Sequence, residues 1–125
     1  MEKLLLSINP EHVANILTGC KTYEFRRNGA KHKVQSMLIY ETAPRKKVVA
    51  EVEVLELLED SPENLWKRTR DGAGISREFY DAYFVGRKVA YAYKLGKVHA
   101  FDVPKELSDY GVKAAPQSYM YVGNT

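Results

Sequence analysis

The stretch at residues 19–27 reads GCKTYEFRR and joins a turn-forming glycine to a strand that is rich in ionisable side chains. Side chains alternate along a strand, so we expect Tyr23 and Phe25 to share one face. Glu24 and Arg26 then fall on the opposite face. A strand that only builds a core seldom carries so many charged groups. The pattern therefore predicts one core face and one functional face, with a solvated, ion-paired surface as the alternative.

The residues before this stretch predict a short helix. Asn9 and Pro10 are typical of a helix start, as N-cap and first helical residue. An apolar stripe with the spacing of one helix face follows, and Gly19 stands where a C-cap glycine is expected. The helix is therefore predicted over residues 10–18, and it delivers Lys21 to the beginning of the motif strand.

The rest of the chain predicts further strands and two more helices. Gly96-Lys97 is typical of a tight turn between two antiparallel strands, and the length of the strand at 46–58 predicts a bend or a bulge. The two helices are expected after Ser61-Pro62 and after Ser76. The other strands are predicted at 3–8, 36–42, 88–95, 98–103 and 118–122. About six strands with short helices at the connections indicate an α+β fold, a small and mostly antiparallel β-barrel.

Length and charge limit the possible functions. With 125 residues, we expect one domain over 1–125. Bases dominate residues 21–47 and acids dominate 51–63, so we expect a basic and an acidic face. No apolar run is long enough for a membrane span or a signal peptide. The single cysteine, Cys20, predicts a reducing location, the cytoplasm. The histidines lack metal-ligand spacing, so we predict no metal and no other cofactor.

The motif Gly19-x-Lys21-x-x-Glu24-x-Arg26 resembles the signature of ASCH domains, which are similar in fold to the PUA superfamily. The order of elements around it agrees, and Pro116-Gln117-Ser118-Tyr119 resembles the last-strand segment of an ASCH subgroup. The resemblance covers nearly the whole chain. It implies a PUA-like barrel with a cleft beside the first helix, lined by the motif strand, that binds single-stranded or tRNA-like RNA or a modified nucleoside.

The side chains of the motif suit RNA. Cationic groups neutralise phosphates, and tyrosine rings offer a surface to an unstacked base. Glu24 is expected to organise Lys21 or to contact a base. The candidate phosphate contacts are Lys21, Arg26 and Arg27, the candidate stacking residues are Tyr23, Tyr119 and Tyr121, and the candidate base-edge contacts are Gln117 and Ser118. For the tyrosines the alternative is a core position, and for Gln117 and Ser118 it is a purely local loop role.

Three other functions stay open from the sequence. Some ASCH proteins hydrolyse N4-acetylcytidine with a lysine and a threonine three residues later, but here Glu24 takes the place of that threonine. The distal glutamate of such a site would be Glu63 or Glu78. Other members of the family are ribonucleases, for which Lys21 and Glu24 would be the catalytic pair, although an ion pair that shapes the cleft is the alternative. A regulatory protein-interaction module is the third possibility.

Overall fold

The computed structural model describes residues 2–123, which form six strands and three short α-helices. The strands are β1 (Lys3–Ile8), β2 (Tyr23–Arg26), β3 (Ser36–Glu41), β4 (Lys47–Asp60), β5 (Ala90–Lys105) and β6 (Tyr119–Val122). The helices are α1 (Pro10–Thr18), α2 (Pro62–Thr69) and α3 (Arg77–Tyr83), with 3₁₀ turns at Arg70–Gly72 and Leu107–Tyr110. The predicted helix at 10–18 and the predicted helix starts after Ser61 and Ser76 are confirmed.

All six strands belong to one curled sheet, a half-barrel with the order β2-β5-β4-β3-β1-β6. β1 and β3 are parallel, and the other neighbours are antiparallel, so the predicted mostly antiparallel α+β architecture is confirmed. The parallel pair arises because α1 and β2 lie between β1 and β3 in the chain and carry it back to the same end of the sheet. β2 and β6 are the two edge strands of this order.

The predicted turn at Gly96-Lys97 is wrong. Strand β5 runs through these residues without interruption, and the sheet absorbs them as an irregularity where Val52 pairs with Val98 and Val54 with Leu95. The Lys97 N–H donates to the Glu53 carboxylate at 3.2 Å, and a Cβ on residue 96 would collide with that carboxylate. Glycine leaves room here for the Glu53 side chain, and glycine is common at β-bulges. The predicted bend of β4 is confirmed by its register shifts against β5.

Two hydrophobic clusters meet beside the motif strand. One fills the inside of the half-barrel beneath α1, with Leu4, Ile16 and Ile39 among its fully buried residues. The other lies beneath α2 and α3, where Phe25 contacts the ring of Tyr80 edge-on. Strand β2 contributes Phe25 to this second cluster, and Tyr23 packs against it. Among residues 2–123 we find no helix with the length and apolar character needed to cross a membrane.

Candidate functional site

A cavity of about 250 Å³ opens between the beginning of α1, strand β2 and the segment that contains α3. Its polar lining residues are Ser7, Asn9, His12, Lys21, Glu24 and Arg26. Its apolar lining residues are Ile8, Phe25, Ile75, Phe79 and Tyr83. A cleft beside the first helix and lined by the motif strand is therefore present, and Glu24 faces it.

Lys21 lies at the base of this cavity with only 3% of its surface exposed. Its Nζ donates a hydrogen bond to the backbone oxygen of Ala73 at 2.9 Å and lies 4.9 Å from the centre of the Phe25 ring. Burial disfavours the charged ammonium and lowers the pKa of Lys21, an effect that the nearby Glu24 carboxylate partly offsets. The Lys21 ammonium therefore loses its proton at a lower pH than a surface lysine does.

The backbone around Lys21 explains why this lysine is buried. Its N–H donates to the Asn15 carbonyl at 2.9 Å, which ties the residue to the end of α1. On the other side lies Gly74, whose φ of +67° is in the left-handed region. A Cβ on Gly74 would lie 2.5 Å from the Lys21 Cβ, so the close approach requires glycine. This contact between Gly74 and Lys21 was missed in the sequence.

Glu24 and Arg26 form an ion pair at the wall of the cavity. The Arg26 Nε and Nη2 atoms lie 3.0 and 2.9 Å from the Glu24 Oε2 atom, and both side chains are largely buried. Nη2 also donates to the Ser7 carbonyl at 3.0 Å, which connects edge strand β2 to β1 across the mouth of the half-barrel. The predicted Lys21–Glu24 ion pair is wrong, because Arg26 takes the carboxylate and Lys21 binds a backbone carbonyl instead. The Glu24 Oε1 atom accepts no hydrogen bond from residues 2–123 and is available to a ligand.

Three side chains of the cavity were missed in the sequence. His12 lies in the first turn of α1. Its ring packs edge-on against the Phe79 ring, with the ring centroids 5.3 Å apart. Its Nδ1 is buried without a hydrogen-bond partner among residues 2–123. Half of the Phe79 surface is exposed, which is unusual for so large an apolar residue. Burial raises the pKa of the third, Tyr83. For His12 the available signal was its position three residues after Asn9, the N-cap of α1.

The other predicted residues of the motif strand lie outside the cavity lining. Tyr23 packs against the cluster beneath α2 and α3, as the core alternative predicted. Arg27 is exposed and lies just outside the wall, with its guanidinium carbon 4.2 Å from the centre of the Tyr83 ring. Its Nε donates to the Tyr83 carbonyl at 2.9 Å. The structure thus brings Lys21, Glu24 and Arg26 together, and it sets Arg27 at the rim.

The predicted contacts from the last strand are not in the cavity lining either. Gln117 and Ser118 are exposed in the segment before β6. Tyr119 packs against the cluster inside the half-barrel and contacts the Tyr121 ring edge-on at 5.7 Å. The segment still approaches the rim, because the Ser7 hydroxyl donates to the Pro116 carbonyl at 2.7 Å. A role of these residues in ligand binding stays a prediction.

The candidate distal glutamates of an amidohydrolase lie elsewhere. Glu63 pairs with Arg77 at the surface, and Glu78 is exposed on α3. Neither lines the cavity. Within residues 2–123, no three His, Cys, Asp or Glu side chains come together in a way that could hold a metal ion.

Comparison with known proteins agrees with this architecture. The family model described as ASCH domain matches residues 6–101. A protein called ASCH domain-containing ribonuclease from Zymomonas mobilis subsp. mobilis is 30% identical over 95 residues, which are 75% of this chain and 64% of that protein. The crystal structure of ASCH from Zymomonas mobilis has a TM-score of 0.86 and 27% identity, and covers 95% of this chain and 86% of that one.

A relative of a different name aligns over almost the full chain. The ATP synthase subunit alpha of Ureaplasma parvum serovar 3 is 28% identical over 122 residues, which are 97% of this chain. This chain spans only 15% of the length of that relative. The fold and the cleft define a PUA-like half-barrel. The chain belongs to the ASCH family.

Proposed function

We propose that this ASCH domain, acting as one unit over residues 1–125, binds single-stranded or structured RNA and takes one nucleoside into the cavity beside α1. The observation that carries the proposal is a lining that combines charged and polar side chains with aromatic rings around a space of about 250 Å³. This volume is below the range of most drug-sized ligand sites, so a single base suits it better than a longer group. We expect this binding to occur in the cytoplasm.

The two kinds of lining residue offer different interactions to a nucleoside. The half-exposed Phe79 ring provides a surface on which a base can stack, as in many sites for unpaired bases. In the same lining, the Glu24 Oε1 can accept hydrogen bonds, and the Arg26 guanidinium has donors beyond those that bind Glu24 and Ser7. A base in this cavity would be recognised by both its face and its edge.

A binding experiment tests the proposal. Fluorescence anisotropy of a labelled eight-nucleotide RNA should report binding that weakens about ten-fold or more in Lys21→Met and in Phe79→Ala, since stacking is worth about 1–3 kcal/mol per base. The matched control is Lys67→Met, which removes an exposed lysine of α2. Equal affinity in the wild type, Lys21→Met and Phe79→Ala would contradict the proposal.

RNA cleavage is the second candidate function, and two observations favour it. The Zymomonas relative carries the name ribonuclease. In addition, burial lowers the pKa of Lys21, so this amine is better suited to proton transfer than an exposed lysine. In metal-independent cleavage the 2′-hydroxyl loses its proton to a base and attacks the adjacent phosphorus, and the 5′-oxygen leaves with a proton. Of Lys21 and Glu24, one would accept the proton of the 2′-hydroxyl and the other would supply the proton to the 5′-oxygen. Arg26 would stabilise the phosphate charge.

Product analysis separates binding from cleavage. Incubation of the RNA with excess chelator should produce a 2′,3′-cyclic phosphate if this mechanism operates, and replacing every 2′-hydroxyl by hydrogen should abolish the product. Loss of product in Lys21→Met with RNA binding retained would make Lys21 catalytic. Binding without any product would leave the protein a binder, and release of acetate from N4-acetylcytidine would instead indicate an amidohydrolase.

A further inference from the structure

A basic surface extends from the rim of the cavity along the loop between β2 and β3. We propose that an RNA strand whose nucleoside occupies the cavity continues along this surface, with its phosphates on the cations and one base stacked on His32. The surface, called here the basic track, consists of Arg27, Lys31, His32, Lys33 and Arg87. The inference rests on the proposed function and extends it, because it names the path of the strand outside the cavity.

Direct contacts connect the cavity to the basic track. Tyr83 belongs to the cavity wall, and Arg27 covers the ring of Tyr83 from outside. Arg87 then donates from Nη2 to the Arg27 carbonyl at 2.6 Å and to the Asn28 Oδ1 at 3.1 Å. The two guanidinium groups therefore follow each other from the rim into the loop. An RNA strand that leaves the cavity over Tyr83 would meet the guanidinium group of Arg27 first and that of Arg87 second.

The loop that carries the rest of the track is held in place by two tyrosine hydroxyls. The Tyr93 hydroxyl accepts from the Ala30 N–H, and the Tyr121 hydroxyl accepts from the His32 N–H, both at 2.8 Å. The His32 ring also stacks on the Tyr121 ring, with centroids 4.6 Å apart and planes 24° apart. A loop ordered before binding loses little conformational entropy when the ligand arrives. The outer face of His32 is thus presented as a platform for a base.

The charges of the track are available to an anion. Arg27, Lys31, Lys33 and Arg87 are all exposed. Among residues 2–123, no carboxylate lies within 4 Å of any of their cationic nitrogens. The acidic neighbours of the loop are few. Glu2 lies 3.3 Å from the His32 Nδ1, and Glu56 lines a cavity together with Lys31, His32 and Lys33.

The combination of exposed cations and a stacked histidine ring favours RNA over an acidic protein as the ligand. Single-stranded nucleic acid is typically bound by cations that follow the backbone and by aromatic rings on which bases stack. Here a stacked ring lies between two lysines in the sequence, Lys31 and Lys33. The Asp and Glu side chains of an acidic polypeptide would bind the cations but carry no ring that could stack on the exposed His32 face.

The dependence of affinity on RNA length tests the path. Labelled single-stranded RNAs of two, four and eight nucleotides are titrated with the wild-type protein at several salt concentrations. If the strand follows the track, the affinity rises about ten-fold or more from two to eight nucleotides. The log–log slope of affinity against salt also steepens, by about 0.7 for each phosphate that is neutralised. Equal affinity for two and eight nucleotides would overturn the inference and leave the proposed function intact.

A charge-matched pair of variants tests whether the salt dependence of RNA binding arises at the basic track. Each triple variant lowers the formal net charge from +3 to 0 by replacing three exposed basic residues with glutamine. The track variant combines Lys31→Gln, Lys33→Gln and Arg87→Gln, and the control variant combines Lys67→Gln, Lys97→Gln and Lys113→Gln. We expect the salt slope for the eight-nucleotide RNA to become shallower by about 2 in the track variant only. Both should bind the two-nucleotide RNA alike, and an equal loss in both variants would overturn the inference.

Variants of His32 and competition by polyglutamate distinguish base stacking from a simple attraction of anions. His32→Ala should weaken the binding of the eight-nucleotide RNA about five-fold or more, and His32→Phe should restore it, because phenylalanine retains a stacking surface. Unchanged binding in His32→Ala would overturn the stacking step. Displacement of the RNA by polyglutamate at an equal concentration of charges would indicate an acidic protein partner instead. If RNA of every length fails to bind, the proposed function itself fails.

Discussion

The cavity and the basic track both carry cations, but the protein uses these cations differently. In the cavity, Lys21 is hydrogen-bonded to a backbone carbonyl and Arg26 is paired with Glu24 and the Ser7 carbonyl. On the track, Lys31 and Lys33 are exposed and have no carboxylate partner among residues 2–123. Charges that hold a fold in place provide a precise shape, whereas exposed charges provide salt-dependent attraction. We therefore expect selectivity to arise in the cavity and most of the affinity on the track.

Adjacent arginines provide the sharpest test of this contrast. Arg26→Met should lower the free energy of unfolding by about 3 kcal/mol, because it leaves the largely buried Glu24 without its partner. Arg27→Met should lower it by at most about 1 kcal/mol, since Arg27 is exposed. Urea denaturation measures both. The double variant Glu24→Gln with Arg26→Met should recover part of the loss, and equal losses for the two arginines would contradict the comparison.

The next effect concerns the glycine behind Lys21. Gly74→Ala should cost about 2 kcal/mol of unfolding free energy, from its left-handed backbone and from overlap with the Lys21 side chain. Gly86→Ala is the matched control, because Gly86 has a φ of +78° and open space around the site of a Cβ. It should cost about 1 kcal/mol. The difference, measured by urea denaturation, reports the contact with Lys21, and equal costs would show that this contact is unimportant.

The buried ammonium should make stability depend on pH. Because the pKa of Lys21 is lowered in the folded state, the unfolded chain binds more protons between that pKa and 10.5. The stability of the wild type should therefore rise with pH in this window. Lys21→Met should lack this rise and, at neutral pH, be about 1 kcal/mol more stable or equal to the wild type.

The measurement is urea denaturation at pH 7.0, 8.0, 9.0 and 9.5. The upper limit of pH 9.5 keeps most tyrosines of the unfolded chain protonated, since their pKa is about 10. The limit is needed because burial raises the pKa of Tyr80 and Tyr93 to about 12 in the fold, so that their ionisation in the unfolded chain lowers stability at higher pH. Lys67→Met serves as the exposed control and should follow the wild type. Parallel curves for Lys21→Met and Lys67→Met would refute the role of burial.

The smallest effects on stability are expected at the two tyrosines that hold the loop of the basic track. Tyr93→Phe should cost about 1 kcal/mol, because its hydroxyl is the partner of the Ala30 N–H next to the core. Tyr121→Phe should cost about 0.5 kcal/mol, since water can replace its bond to the exposed His32. Hydrogen exchange at the Ala30 and His32 amides measures each bond separately. Faster exchange at both amides in either variant would show that the loop opens as one unit.

Local signals in the sequence predicted most of the fold correctly. Asn9-Pro10 and Gly19 gave the helix its bounds, because capping chemistry acts within one turn. The alternation at Tyr23 and Phe25 placed both on the core side of β2. The Gly96-Lys97 pair was misjudged because a turn and a bulge both favour glycine. Only the approach of Glu53 from β4 distinguishes them.

For the site, the sequence by itself determined the family motif and therefore which charged residues stand on the strand after α1. The tertiary structure decided what each charge does. Arg26 rather than Lys21 takes Glu24, and Lys21 is buried against Ala73 from a segment 52 positions away. His12, Phe79 and Tyr83 join the cavity from two helices that are distant in sequence. Contacts between residues far apart in the sequence depend on which helices and strands pack together. The resulting burial then changes the pKa of the charged side chains.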